Sequence, residues 1–170
     1  MTFSIHAASI PVFARALRNL DGVLAKAADH AAVTGVDVET YVGMRLAPDM
    51  DPLLKQIQRA SDSAKGAATR LAGLPSVALA DDEATFADLR GRIARTLEII
   101  EGVDPAALDG AEDRTVVLSL PSGALTFTGQ SYLLGFALPN FFFHVTTAYA
   151  ILRHAGVPLG KMDYLGRPQT

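Results

Sequence analysis

Apolar residues recur at Ile10, Phe13, Leu17, Leu20, Leu24, Ala28 and Ala31, in steps of three and four. That spacing lines one face of a helix and predicts an element from Ser9 to Val33, closed by Gly35. Pro11 suits a first turn, where its missing N–H costs nothing, so Ser9 is the expected cap. A second stripe runs through Leu53, Leu54, Ile57, Ala60, Ala64, Ala67 and Leu71 to Gly73. Asp51-Pro52 ahead of it reads as a cap followed by proline at the first helical position. This face is rich in alanine, which lets a neighbouring helix approach closely or leaves room for a pocket. The third stripe, Phe86, Leu89, Ile93, Leu97 and Ile100, opens on Thr85-x-x-Asp88 and ends at Gly102. Thr and Asp three residues apart have the spacing of a capping box.

Residues 35–50 form a connection long enough to cross the end of a bundle, and residues 103–114 read as loop. The runs TVVLSL and ALTFT flank Pro121-Ser122-Gly123 and predict a β-hairpin. Two strands alone are marginal in water, so the hairpin must lie on the helices or on a partner. The last stripe extends from Gln130 to Ala155 and is expected to break at Pro139, with Leu138-Pro139 opening a new segment, because a mid-helix proline removes a hydrogen bond and crowds the preceding turn. Gly156 and Pro158 end it, and Leu159, Tyr164 and Leu165 are expected to dock back onto the bundle. The predicted fold class is all-α. Its architecture is an antiparallel four-helix bundle with a short β-hairpin inserted before the last helix, one domain over residues 1–170.

Composition narrows the function. Of 170 residues, 49% are hydrophobic and 19% are charged, a globular balance far from that of a disordered chain. A net charge of −3 with no Lys/Arg run argues against nucleic acid and against a charged membrane surface. No stretch is long and apolar enough to predict a membrane span. The amino-terminal run reads as the first helix instead of a signal peptide, and a cytoplasmic location is the expectation. The absence of cysteine excludes disulfides, thiolate catalysis and cysteine-ligated metals.

Recognisable chemistry concentrates in LPNFFFHVTTAYAILRHAGVPLGKMD, residues 138–163. His144 falls between the stripes of Phe141, Val145, Ala148 and Leu152 and of Phe141, Ala148 and Ile151, so it is expected to be buried. Two readings stay open. In one, His144 is a neutral core residue hydrogen-bonded to a carboxylate or carbonyl. In the other it lines a pocket, with Asn140 four residues earlier on the same face. Asp62 and Lys65 on the second helix, with Gln58 nearby, are the remaining candidate pocket residues. An ordinary helical ion pair explains those two equally well. An Asp62 that reached His144 would instead fix its tautomer. His6, His30 and His154 have no metal-binding spacing with His144, so neither metal nor cofactor is expected. Thr146, Thr147 and Tyr149 lack a nucleophile elbow, and Arg90, Arg92 and Arg95 read as a solvated face.

The same run, together with RLAPDMDPLLKQIQRASDSAKGAATRLAG, resembles across essentially its whole length a bacterial family described only as a domain of unknown function. That family is grouped with the DinB/YfiT-like superfamily of four-helix bundles. The resemblance implies a bundle fold and often a homodimer. Superfamily members typically hold a divalent metal with three histidines, one on the second helix and two as HxxxH on the last. Thiol-dependent transferases and isomerases are among them. Here the last helix carries Asn140 and His144 at that spacing, and the second helix has no histidine. Only His144 carries over. Three functions are therefore in view. The first is a small helical-bundle protein binding a small organic molecule near His144. The second is a metal-assisted transferase or isomerase in which Asp62 or Asp49 replaces a histidine. The third is a non-catalytic dimeric module.

Overall fold

A computed structural model describes residues 4–120 and 123–166. Its long helices are α1 (Ile5–Thr34), α2 (Leu53–Ala72) and α3 (Phe86–Glu101). A hairpin of β1 (Thr115–Leu120) and β2 (Gly123–Thr128) follows. It leads through the short α4 (Gly129–Tyr132) and a π turn (Leu133–Ala137) into α5 (Leu138–His154), and α6 (Lys161–Leu165) closes the chain. The long helices form a ring in the order α1, α3, α2, α5, with α1 and α2 on the diagonal. That arrangement is why the 35–52 connection crosses the end of the bundle. On the way it makes a 3-10 turn, Val38–Tyr41, that buries Tyr41 against Phe86 at 6.3 Å between ring centroids.

The stripes read from the sequence are the buried faces. Phe13, Leu17 and Leu24 of α1, Ile57 and Leu71 of α2, Leu89 of α3 and Phe141 and Leu152 of α5 are all fully enclosed. Phe13 meets Phe141 edge to face at 4.9 Å. The capping box at Thr85 forms in both directions, with Asp88 N–H donating to Thr85 Oγ1 and Thr85 N–H to Asp88 Oδ2. Gly35 and Gly73 take left-handed conformations at φ 72° and 68°, which ends their helices where glycine was expected to.

Three boundaries differ from the sequence reading. Helix α1 starts at Ile5, and Ser4 is its cap, accepting from Ala7 N–H at 3.1 Å. Ser9 is instead buried one turn in and donates to the Ile5 carbonyl at 2.6 Å. Pro11 is tolerated inside the helix because Pro11 and Ala7, whose carbonyl loses an N–H, are both on the exposed side. Pro52 caps α2 without a side-chain bond, while Asp51 is drawn off to Arg59 at 2.7 Å. At Leu138-Pro139 a new α-helical segment opens where one was expected, but the chain stays helical through the junction. The preceding turn widens so that Leu138 N–H donates to the Leu133 carbonyl five residues back, and α5 then starts with the proline in its first turn. A π turn is a cheap way to carry a residue that the α-helical ladder cannot bond.

The hairpin pairs Thr115 with Thr128 through to Leu120 with Gly123. The Pro121-Ser122 part of the predicted turn lies outside the described residues. Val116 and Leu118 are buried, and Phe127 joins Tyr132 and Phe136 at about 6 Å, so the hairpin rests on the helices. Gly129 sits at this junction, where an added Cβ would stand 1.8 Å from the Ala111 carbonyl oxygen. Backbone cannot yield there as a side chain would. Gly129→Ala is expected to destabilise the fold by at least about 2 kcal/mol in urea denaturation, as overpacking of a rigid site does.

Candidate functional site

His144 and Asn140 stand one turn apart on α5, facing Gln56 and Ser63 two turns apart on α2. His144 Nδ1 lies 2.8 Å from Gln56 Oε1, and Asn140 Nδ2 donates to Ser63 Oγ at 2.7 Å. The Gln56 amide is oriented by its other end, where Nε2 donates to the Asp51 carbonyl at 3.0 Å. Gln56 Oε1 is then an acceptor, so His144 must donate from Nδ1–H. The lone pair of the neutral ring is thereby placed on Nε2. Nε2 has no protein hydrogen-bond partner among the described residues.

Electrostatics keep the ring neutral. Burial lowers the His144 pKa from its ordinary value, the nearby Arg59 guanidinium lowers it further, and Asp51 opposes them more weakly. Arg59 and Asp51 are ion-paired and about half exposed at the rim of the site. The Phe143 ring stands edge to face with the imidazole at 5.2 Å and is 56% exposed, so an aromatic surface adjoins His144 at the solvent boundary.

Asp62 and Lys65 are not part of this group. Asp62 Oδ1 accepts from Lys65 Nζ at 2.8 Å and from Arg92 Nη2 at 2.9 Å, toward α3 instead of α5. The tautomer-fixing role that Asp62 could have had belongs to Gln56. Arg92 is also a correction to the sequence reading. It is fully buried, and its Nη1 reaches both carboxylate oxygens of the buried Glu83 at 3.0 Å, Asp81 at 2.9 Å and the Ala80 carbonyl at 3.0 Å. Gln58 donates to the same Glu83 at 2.8 Å, and Ser61 meets Thr96 at 2.6 Å. Arg90 and Arg95 are roughly half exposed and paired with Asp21 and Glu83. The signal for Arg92 was present, since it lies three residues after Leu89 and four before Thr96, inside the apolar arc of α3.

The superfamily's metal can be tested against these donors. The HxxxH position offers Asn140 in place of an imidazole, and the α2 side chain against His144 is the carboxamide of Gln56. Neutral amide oxygens are weak ligands for a zinc-like ion, and Gln56 has both ends in use. Among the described residues no group of three or more His, Cys, Asp and Glu converges. The residues present do not fit a three-histidine site. His6, His30 and His154 stand elsewhere, and His6 borders a cavity of about 740 Å³ along α1. Phe142 also lines that cavity, and two residues of helix put it on the side of α5 away from His144.

Two measurements follow. Because the folded pKa of His144 is lowered, the unfolded chain takes up its proton first as pH falls below the ordinary 6.5. Stability should be flat above that pH and decline below it, until His144 itself protonates in the fold. Urea denaturation of His144→Gln across the same range should lack that part of the decline. Separately, Arg92→Met should cost about 3 kcal/mol or more by leaving buried Glu83 with only the half-exposed Arg95 against it, and a double variant with Glu83→Gln should recover much of it.

The family described as "Domain of unknown function (DUF1993)" matches residues 5–165. Among solved structures, the crystal structure of a DinB family member protein from Shewanella denitrificans is similar at a TM-score of 0.90. It shares 37% sequence identity, over 98% of this chain and 94% of that one. No protein with a curated description matches. Among the described residues no helix is long and apolar enough to cross a membrane. With its four-helix ring, its hairpin ahead of the last helix and a match over nearly its whole length, the chain belongs to the DUF1993 family, a domain of unknown function within the DinB-like superfamily.

Proposed function

We propose that this protein binds a small organic molecule at His144 without a bound metal, as a cytoplasmic, single-domain homodimer. The observation that carries the reading is the Asp51–Gln56–His144 chain, which fixes one tautomer and leaves Nε2 as an acceptor without a protein partner. A neutral imidazole so held accepts a hydrogen bond from a hydroxyl, amine or amide N–H, and is placed to take up the proton if the bound molecule is acidic enough. Phe143 offers an apolar surface beside it, and the Arg59–Asp51 pair a polar edge. Metal-assisted thiol transfer is the weaker reading. Asp62 is committed to Arg92 and Lys65, and the donors that do face His144 are carboxamides and a hydroxyl.

Nitrogen-15 NMR of the imidazoles should show His144 as the Nδ1–H tautomer at neutral pH. A ligand-observed screen of small alcohols, amines and amides should give binders that shift its Nε2 resonance. His144→Phe should weaken them about tenfold, the worth of a buried hydrogen bond and the acceptor's position. Binders indifferent to that substitution would refute the site. Titration with Zn²⁺ separates the readings, since stoichiometric metal on His144 would restore the metalloenzyme.

A further inference from the structure

The cavity along α1 lies apart from His144, and its walls come from four parts of the chain. Ile10 and Ala14 of α1 form a buried floor, joined by Val103 from the loop after α3 and Phe142 from α5. The fourth wall is α6, which buries none of its own residues and is held to α1 by polar contacts. Arg15 Nη2 donates to the Leu165 carbonyl at 2.8 Å, Asn19 Nδ2 to the Tyr164 carbonyl at 3.0 Å, and Lys26 pairs with Asp163 at 2.6 Å. Helix α6 is thus an appended side to a cleft that the bundle alone would leave open. At about 740 Å³ the space has the size of a small-molecule site.

Charge tells what would fill it. Two guanidinium groups border the cavity, those of Arg15 and Arg18. Arg18 is neutralised by Glu101. Arg15 has no carboxylate partner among the described residues, and spends one N–H on a neutral carbonyl, which leaves donors for a planar acceptor. One uncompensated cation beside an apolar floor complements one anion on an apolar body. We propose that this cavity binds an amphipathic monocarboxylate, its apolar body on Ile10, Ala14, Val103 and Phe142 and its carboxylate on Arg15. The site does not depend on the His144 reading.

Decanoate, kept below its micelle concentration, is the probe. Calorimetric titration into the full chain should give saturable binding at one per chain, with amide shifts confined to residues 10–19, 101–103, 142 and 164–165 and their immediate neighbours. Arg15→Gln on the exposed side of α1 should weaken binding about tenfold or more, as loss of a charge-assisted pair does. Val12→Trp at the cavity wall should abolish it, with thermal denaturation reporting that the variant is folded. Decanol should bind about tenfold more weakly than decanoate. Equal affinity for decanol, or for decanoate in Arg15→Gln, would overturn the carboxylate assignment. Absence of saturable binding would overturn the site. A dimer of the wild-type chain that Val12→Trp splits, seen by sedimentation, would assign the cleft to a second copy instead.

Discussion

Helix α2 is buried on nearly every side, with 14 of its 20 residues enclosed, and those include Gln56, Gln58, Ser61, Lys65 and Thr69. Each polar group withdrawn from water without a partner costs about 1–3 kcal/mol, so the neighbours of α2 must supply partners at matching positions. Helix α5 meets Gln56 with His144, α3 meets Ser61 with Thr96, and Glu83 ahead of α3 accepts from Gln58, while Lys65 and Thr69 find partners on α2 itself. Between those contacts α2 offers Ala60, Ala64, Ala67 and Ala68, all fully enclosed, which let both neighbours come close enough for short side chains to reach across. The two polar seams are consequences of burying one helix that is not apolar.

The seams differ in kind. Toward α3 ion pairs stand beside the neutral Ser61–Thr96 contact, and Arg92 gathers Glu83, Asp81 and the Ala80 carbonyl from the irregular segment 74–85. Such a pair adds little stability over an apolar replacement, yet it permits one arrangement of that segment. Toward α5 the contacts are neutral. The carboxamide of Asn140 stands four residues before His144 and that of Gln56 against its ring, and among the described residues no three His, Asp or Glu side chains converge. A single basic nitrogen is aimed by an amide whose own orientation is set by backbone.

Much of the scaffold was legible because burial and helical period coincide: the stripes of Phe13, Ile57, Leu89 and Phe141 point inward as spaced. Glycine ends and the Thr85 box were legible for the same local reason. What misled was context carried by exposure and by distance along the chain. Pro11 marks a helix start only if its face is buried, and it is not. Asp62 and His144 sit on neighbouring helices, but a one-residue step on α2, about 100° around its axis, decides that Asp62 meets α3 while Ser63 meets Asn140. Arg92 was read by residue type, although its spacing already placed it in the core. The α1 cleft has no sequence signature at all, since its walls are far apart in the chain.

The π turn ahead of Pro139 has a consequence for how the last helix is used. One extra residue in a turn offsets everything beyond it by about 100° around the axis. Tyr132 ahead of the turn and Phe136 within it face Phe127 of the hairpin, whereas Phe141 and His144 beyond it face the bundle interior. A regular helix has one phase along its whole length and would have to compromise between those two partners. The widened turn acts as a phase joint, so the hairpin can be seated, lengthened or altered without rotating the imidazole away from Gln56.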